Sequence, residues 1–316
     1  MNSSTRSALT GNFACFIAYL IFGFNIIFCK NISDCGLVTP WALYLMRAIG
    51  ALVLFWLMSL LPSMSRSTCD PDVRSIGGIE LRDLWKVAVA SFLGLFMTQL
   101  AFLKAITMAT PMDVAVLSLL SPIMTMIIAA IFLKDRINMR GVTGLTISFC
   151  GVLFIVLNTV SARSGAAETS LGGVLLMIVN TLSFASYVGI FKPLIQKYSV
   201  VTFMKWMFIF STIYALPFGL KDLITVDYAA LPAGIIWQLL FVIVGATFIS
   251  YFLIPIGQKR LKPVIVCMYS YVQPIVAMCI SLAFGLDTLT LPKLIATVLV
   301  FTGVTLINFD PARHRQ

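Results

Sequence analysis

Residues 118–152 read SLLSPIMTMIIAAIFLKDRINMRGVTGLTISFCGV, and residues 270–304 read SYVQPIVAMCISLAFGLDTLTLPKLIATVLVFTGV. The two stretches align without a gap at an offset of 152 residues. Over residues 111–155, thirteen of forty-five positions are identical in the two copies. Each copy has a proline, an acidic residue thirteen positions later and a closing Gly-Val. Shared apolar composition alone would give far fewer identities, so the chain contains an internal repeat.

The repeat lies in a very apolar chain. Of its 316 residues, 60% are hydrophobic and 11% are charged, and the mean hydropathy is +1.00. Soluble domains are about 45–50% apolar and about 25% charged, which excludes a water-soluble enzyme, a disordered chain and a disulfide-stapled module. Long continuous apolar runs are typical of spanning helices, whereas membrane barrels alternate. The sequence therefore predicts an all-α polytopic membrane protein with ten transmembrane helices. The predicted spans are residues 9–29, 39–61, 85–107, 111–133, 141–160, 171–191, 200–219, 231–254, 263–285 and 292–309.

The ten predicted helices form two halves of five. The earlier helices align more weakly, at an offset of 162 residues that pairs Phe22 with Phe184. Because five is odd, the second half must enter the membrane from the opposite side. Residues 105–110 (AITMAT) carry no charge, whereas their equivalents 257–262 (GQKRLK) carry three positive charges. We therefore expect two inverted five-helix repeats, residues 1–162 and residues 163–316.

The basic residues indicate the orientation of the chain. With a cytoplasmic N-terminus, fifteen Lys and Arg side chains lie on the cytoplasmic side and five on the outer side. The positive-inside rule then places both termini in the cytoplasm. The net charge of +10 records this topology, so we expect the lipid bilayer and no nucleic acid as a partner.

With its doubled proline–acidic–Gly-Val pattern and ten spans, the chain resembles the EamA-type permeases of the drug/metabolite transporter superfamily over residues 9–309. The resemblance implies a secondary transporter in the bacterial inner membrane that moves a small organic solute by alternating access. An amino acid or related metabolite is the expected solute, and export is the expected direction. A nucleotide-sugar, phosphorylated-metabolite or drug carrier of the same fold, or a channel, are the alternatives. Family members usually carry Glu where this chain has Asp135 and Asp287.

Polar residues inside the spans are the candidates for a small-molecule binding cavity. Ser118 and Ser121, and their equivalents Ser270 and Gln273, each share one helical face because they are three residues apart. An unpaired amide in hydrocarbon costs several kcal/mol, which argues against lipid exposure of Gln273. Helix–helix packing is the alternative role for these side chains. Further candidates from other helices are Asn25, Asn180, Tyr187 and Tyr269.

Arg47 is the candidate with a charge, since it lies about 12 Å inside the second span. A charge at that depth suggests a substrate carboxylate or phosphate as its partner. It could instead reach the outer interface or pair with Asp113. Pro122 and Pro274 each remove a helical hydrogen bond, so we expect a kink with a gating role.

The sequence argues against catalysis. Within the spans there is no histidine and no paired aspartates, and no cysteine pair has metal-ligand spacing, so we predict no enzyme activity, no metal site and no cofactor. The acidic residues of the connection at 62–84, among them Glu80 and Asp83, fit a solvated loop. Because both repeats lie in one chain, a monomer is sufficient, and a homodimer stays open.

Overall fold

A computed structural model of the protein describes residues 3–61, 75–132, 169–261 and 263–283, with isolated positions between 143 and 151 and between 291 and 302. These ranges are almost entirely helical. The exception is a small antiparallel hairpin in which Ser75 pairs with Glu80 and Ile76 with Ile79. The predicted all-helical class is therefore confirmed. The expected boundary between residues 162 and 163, and Asp135 and Asp287, lie outside the described residues.

The first half begins with two long helices and the hairpin: α1 (Ser3–Asp34), α2 (Pro40–Ser59), β1 (Ser75–Ile76) and β2 (Ile79–Glu80). It continues with α3 (Leu81–Ser91), a π-helical segment (Phe92–Met97), α4 (Thr98–Ile106), α5 (Pro111–Ser118) and α6 (Leu120–Phe132). The second half contains α7 (Leu171–Ile190), α8 (Lys192–Lys197), α9 (Val200–Thr225) and α10 (Ala233–Leu240). A second π-helical segment (Phe241–Ile249), α11 (Ser250–Arg260), α12 (Pro263–Met268), a 3₁₀ turn (Tyr269–Tyr271) and α13 (Val272–Ala283) follow.

Six continuous helices are long and apolar enough to cross a bilayer. They are Ser7–Asp34, Pro40–Ser59, Leu81–Ile106, Leu171–Ile190, Val200–Thr225 and Ala233–Arg260. They correspond to the first, second, third, sixth, seventh and eighth predicted spans. The fourth and ninth predicted spans are helical but interrupted, and most of the fifth and tenth lies outside the described residues. A multi-pass membrane protein is thus confirmed, whereas the count of ten helices stays a prediction.

Helix starts follow from local capping chemistry. Thr39 accepts a hydrogen bond from the N–H of Ala42 at 3.1 Å, and Pro40 occupies the first position of α2. Thr110 caps α5 in the same way, with Pro111 in the first position. A hydroxyl satisfies an otherwise unpaired N–H, and proline has no N–H to lose at that position. These caps fix where two of the cavity-forming helices begin.

The two sequence halves interlock. Helix α1 packs against α11 and α13 of the second half, and α7 packs against α4 and α6 of the first half. Helices α2 and α9 also pack against each other. The first helix of each half therefore lies among the third and fourth helices of the other half. The outer faces carry exposed large apolar side chains such as Trp56, Trp237 and Ile224, as expected of a surface that faces lipid.

Candidate substrate cavity

A cavity with about 580 Å³ of empty space, part of it open to the outside, lies between the two halves. Its wall combines aromatic rings with hydroxyl and amide groups. Of the lining residues that the structure describes, Arg47 alone is charged. The lining residues are Tyr19, Phe22, Asn25, Arg47, Thr98, Gln99, Phe102, Ser118, Ser121, Asn180, Phe184, Tyr251, Ser270 and Gln273. Such a mostly preformed, partly apolar site suits a small organic molecule.

Much of the cavity wall consists of repeat-equivalent pairs. At the offset of 152 residues, Ser118 pairs with Ser270 and Ser121 with Gln273, and all four line the cavity. At the same offset, Gln99 pairs with Tyr251. At the offset of 162, Phe22 pairs with Phe184. Each half therefore supplies the same helix faces, and the cavity lies where those faces meet.

The π-helical segments position one of these pairs. The segments Phe92–Met97 and Phe241–Ile249 overlap at the repeat offset, and each ends one or two residues before a cavity residue, Gln99 or Tyr251. The hydroxyl of Thr98 donates to the carbonyl of Leu93 at 2.7 Å, and that of Ser250 donates to the carbonyl of Gly245 at 3.2 Å. These bonds reach back five residues, as the π-helical backbone does. Short π-helical insertions of this kind often occur at functional sites.

Helix interruptions position the serine pair. Helix α5 ends at Ser118 and α6 begins at Leu120, and the 3₁₀ turn Tyr269–Tyr271 separates α12 from α13. Each interruption lies about one turn before a proline, Pro122 or Pro274, because proline offers no N–H to the carbonyl four residues earlier. The two interruptions are repeat-equivalent and lie beside the cavity. A gating role for these prolines stays a prediction.

The other polar candidates on the wall are held by short hydrogen bonds. The amide of Asn180 donates to the carbonyl of Thr98 at 2.6 Å, which fixes α7 against the start of α4. Asn25 accepts a hydrogen bond from the Cys29 thiol at 3.4 Å, within α1. The hydroxyl of Ser118 donates to the carbonyl of Val114 at 2.8 Å. The structure thus places these three side chains at the cavity, and substrate binding by them stays a prediction.

Three polar atoms at the wall have no partner among the described residues. They are the Tyr19 hydroxyl, the Oε1 atom of Gln99 and the Ser270 hydroxyl, all buried. A buried polar atom without a hydrogen bond is costly, so each is a place for a ligand group or a water molecule. Oε1 of Gln99 can only accept a hydrogen bond. A bound solute with an N–H or O–H group would satisfy it.

The Arg47 guanidinium is held against the second half. It is 2% exposed, so it does not reach the outer interface. Its Nε atom donates to the Thr247 hydroxyl at 2.9 Å, and its Nη1 atom lies 3.7 Å from the Cys29 sulfur. The expected alternative of an ion pair with Asp113 is not formed, because Asp113 instead accepts hydrogen bonds from Thr110 and Thr169.

Two of the nine predicted binding residues do not line the cavity. The Tyr187 ring packs against Gly94, where an added Cβ would lie 2.5 Å from its Cγ atom, and the Tyr187 hydroxyl donates to Gln258 at 3.4 Å. Tyr269 packs in a different apolar cluster, with Cys15. Gln99 and Tyr251 line the cavity although they are not among the predicted residues. Extending the offset of 152 residues to the third helix of each half pairs these two positions and could have found them.

A second concentration of charge lies where α3 begins. Glu80 and Asp83 are 1% and 3% exposed, which contradicts the solvated loop expected there. The Nζ atom of Lys197 lies 2.8 Å from Oε2 of Glu80 and 2.6 Å from Oδ2 of Asp83. Lys86 lies 2.7 Å from Oδ1 of Asp83, and the Tyr198 hydroxyl donates to Oδ2 at 2.7 Å. We call these five residues the Lys197 cluster. It ties α3 of the first half to α8 of the second.

The Lys197 cluster shifts the pKa values of its members outside the spans. The hydrogen bond from Lys197 lowers the pKa of Glu80, although burial opposes this shift. Burial raises the pKa of Tyr198 to about 12, and the hydrogen bond to Asp83 adds to the rise. Both shifts favour the protonation states found at neutral pH, with ionised Glu80 and neutral Tyr198.

Comparison with known proteins identifies the family. The sequence model of the EamA-like transporter family matches residues 9–157 and again residues 171–309. The protein belongs to the EamA-like transporter family. The two matches cover nearly the whole chain and correspond to the two halves of the internal repeat.

Relatives with curated names are described only as uncharacterised transporters. YetK of Bacillus subtilis is 22% identical over 63% of this chain and 60% of its own length. YyaM of the same organism is 23% identical over 72% of this chain and 75% of its own. The inner membrane transporter YicL of Salmonella typhimurium is 24% identical over 74% and 76%. These names support a general transporter role and specify no solute.

A crystal structure shares the fold. It superimposes with a TM-score of 0.67 over 97% of this chain and 98% of the crystallised chain, at 16% sequence identity. At that identity the likeness concerns the arrangement of helices and not the substrate.

Proposed function

We propose that the protein is a secondary carrier that moves a small organic solute across the bacterial inner membrane by alternating access. The observation that carries the proposal is the cavity between the two halves, whose wall is built from repeat-equivalent residues such as Ser121 and Gln273. A site at the interface of two inverted repeats can open first to one side and then to the other. The expected solute is an amino acid or related metabolite, and the expected direction is export.

The proposal includes a topology. Both termini lie in the cytoplasm, and ten helices form two inverted halves, in agreement with the distribution of Lys and Arg along the sequence. In this orientation the Lys197 cluster lies at the cytoplasmic end. Its bonds between α3 and α8 would have to break whenever the cavity opens to the cytoplasm. The inner membrane is supported by the description of YicL as an inner membrane transporter.

Counterflow in proteoliposomes tests the proposal. A thermal-stability screen with amino acids, nucleosides, sugar phosphates and organic cations first selects a ligand, since binding to the folded state raises its stability. Vesicles preloaded with that ligand should then accumulate its labelled form against a concentration gradient. A current of single-channel size, or uptake without counterflow, would reject a carrier.

Blocking the cavity tests its role in transport. We expect Ser121→Trp to abolish counterflow while insertion and folding are retained, because the indole fills space that the solute must occupy. Val53→Trp is the matched control, since residue 53 is half-exposed on the outer face of α2 and should tolerate the ring. Undiminished flux in Ser121→Trp would show that the solute passes elsewhere.

A further inference from the structure

The inference begins with the unbalanced charge of Arg47. Among the described residues no carboxylate lies within ion-pair distance of its guanidinium, which contacts only the neutral groups of Thr247 and Cys29. Arginine stays protonated in proteins and offers five N–H donors. A buried cation without a counter-ion inside a membrane protein is expensive and by default functional.

Arg47 is also the part of the wall that the repeat does not duplicate. At the offset of 162 residues its equivalent is Ile209, which carries no polar group. The pairs Ser118 with Ser270 and Ser121 with Gln273 give the two sides of the cavity a similar polar lining. The single charge therefore makes the cavity asymmetric, and it can orient a solute that has one charged end.

Packing alone does not account for Arg47. The hydroxyl of Thr247, its closest partner, already donates to the carbonyl of Val242 at 2.7 Å. Removing the guanidinium would therefore leave the Thr247 hydroxyl with a hydrogen bond. The contact to the Cys29 sulfur, at 3.7 Å, is weak. The protein thus keeps a charge in its cavity that no neighbouring described group requires.

We propose that Arg47 binds the carboxylate of the transported solute and selects monoanionic or zwitterionic organic acids over cations. This inference rests on the proposed carrier function, because it names the substrate class of the same cavity. One guanidinium balances one negative charge and matches the two oxygens of a carboxylate. The apolar part of the solute lies against the rings of Phe22, Phe102 and Phe184, and a neighbouring N–H or O–H donates to Oε1 of Gln99.

The first experiment separates ligand binding from a structural role. Arg47→Met keeps a long side chain and removes the charge. If Arg47 serves binding, the thermal unfolding midpoint of the ligand-free variant equals or exceeds that of the wild type, because an uncompensated charge has been removed. A fall of about 5 °C or more would assign Arg47 a structural role and overturn the inference.

The second experiment compares solutes that differ only in their charged end. The probes are 3-phenylpropionate, the neutral 3-phenylpropanamide, the cation 3-phenylpropylamine, L-phenylalanine and inorganic phosphate. We expect the two carboxylates to stabilise the wild type and the cation not to do so. Arg47→Gln should weaken carboxylate binding by about tenfold or more. Lys205→Gln is the matched control, since residue 205 is a basic residue of α9 away from the cavity wall and its loss should leave affinity unchanged.

The outcomes separate failure of the inference from failure of the carrier function. Equal binding of the amide or the amine, no stabilisation by either carboxylate, or unchanged affinity in Arg47→Gln would overturn the inference. Stabilisation by phosphate alone that is lost in Arg47→Gln would overturn the carboxylate assignment. Counterflow of a neutral or cationic solute would reject the inference and leave the carrier standing. Channel-like currents of a carboxylate that depend on Arg47 would reject the carrier and retain the role of Arg47.

Discussion

The cavity and the Lys197 cluster treat buried charge in opposite ways. In the cluster, Asp83 is 3% exposed and has Lys86, Lys197 and the Tyr198 hydroxyl around it. In the cavity, Arg47 is 2% exposed and touches only neutral groups among the described residues. The cluster joins α3 to α8 and satisfies its charges within the protein. The cavity leaves its charge to be satisfied by something that enters.

This difference teaches how the same physics serves structure in one place and recognition in another. Charges that pair with each other stabilise one arrangement of the two halves and bind no ligand. A charge without a partner lowers stability, but it stays available to an anion. The two regions should therefore respond in opposite directions when their charges are removed.

Removing a charge from the cluster should have the largest effect. Asp83→Asn keeps the shape of the side chain but leaves Lys86 without its partner and Lys197 with Glu80 alone. We expect a loss of about 2 kcal/mol, less than for a fully buried pair because both lysines are partly exposed. The thermal unfolding midpoint of the purified protein should fall by about 5 °C.

A surface pair supplies the control for that measurement. Lys30 and Asp34 lie 3.0 Å apart within α1, and the Asp34 side chain is 58% exposed. Exposed pairs contribute about 0.2–1 kcal/mol, so Asp34→Asn should hardly change the unfolding midpoint. Equal shifts for Asp34→Asn and Asp83→Asn would contradict a stabilising role that is specific to the cluster.

Giving Arg47 an internal partner should convert the cavity into a second paired site. In Thr247→Asp, a carboxylate replaces the hydroxyl that now lies 2.9 Å from Nε of Arg47. We expect the ligand-free protein to be at least as stable as the wild type and its affinity for 3-phenylpropionate to fall about tenfold, or about 1.4 kcal/mol. The uncharged Thr247→Asn should retain most of the affinity. Similar affinities in the two variants would mean that Arg47 does not bind the anion.

Sequence alone could predict the parts of the molecule that depend on local composition and on the repeat. The six described spans are confirmed because about twenty apolar residues suffice to define a membrane helix. The offset of 152 residues pairs Ser118 with Ser270 and Ser121 with Gln273, and this pairing is visible in the sequence itself. The structure places all four on the cavity wall, and their role in binding stays a prediction.

Other parts could not be predicted, because they depend on backbone geometry without a sequence signature. The π-helical segments rotate the residues that follow them, which places Gln99 and Tyr251 on the wall. A regular helix of 3.6 residues per turn does not predict that rotation. Tyr187 lies away from the cavity because Gly94 admits its ring at close range. Likewise, the burial of Glu80 and Asp83 depends on Lys197, more than one hundred residues away in the sequence.

Acid should weaken the cluster and leave Arg47 unaffected, which gives the comparison its smallest test. The pKa of Glu80 is lowered from its ordinary value of 4.5, chiefly by the hydrogen bond from Lys197. A lowered pKa means that Glu80 contributes stability above pH 4.5 and loses it as the pH falls through the folded-state pKa. The unfolding midpoint of the wild type should therefore decline below about pH 4.5. In Glu80→Gln the decline should be shallower, because one linked carboxylate is gone. Arg47→Met should follow the wild-type curve throughout, since arginine does not titrate in this range. An identical acid limb in Glu80→Gln would mean that other carboxylates account for the acid sensitivity.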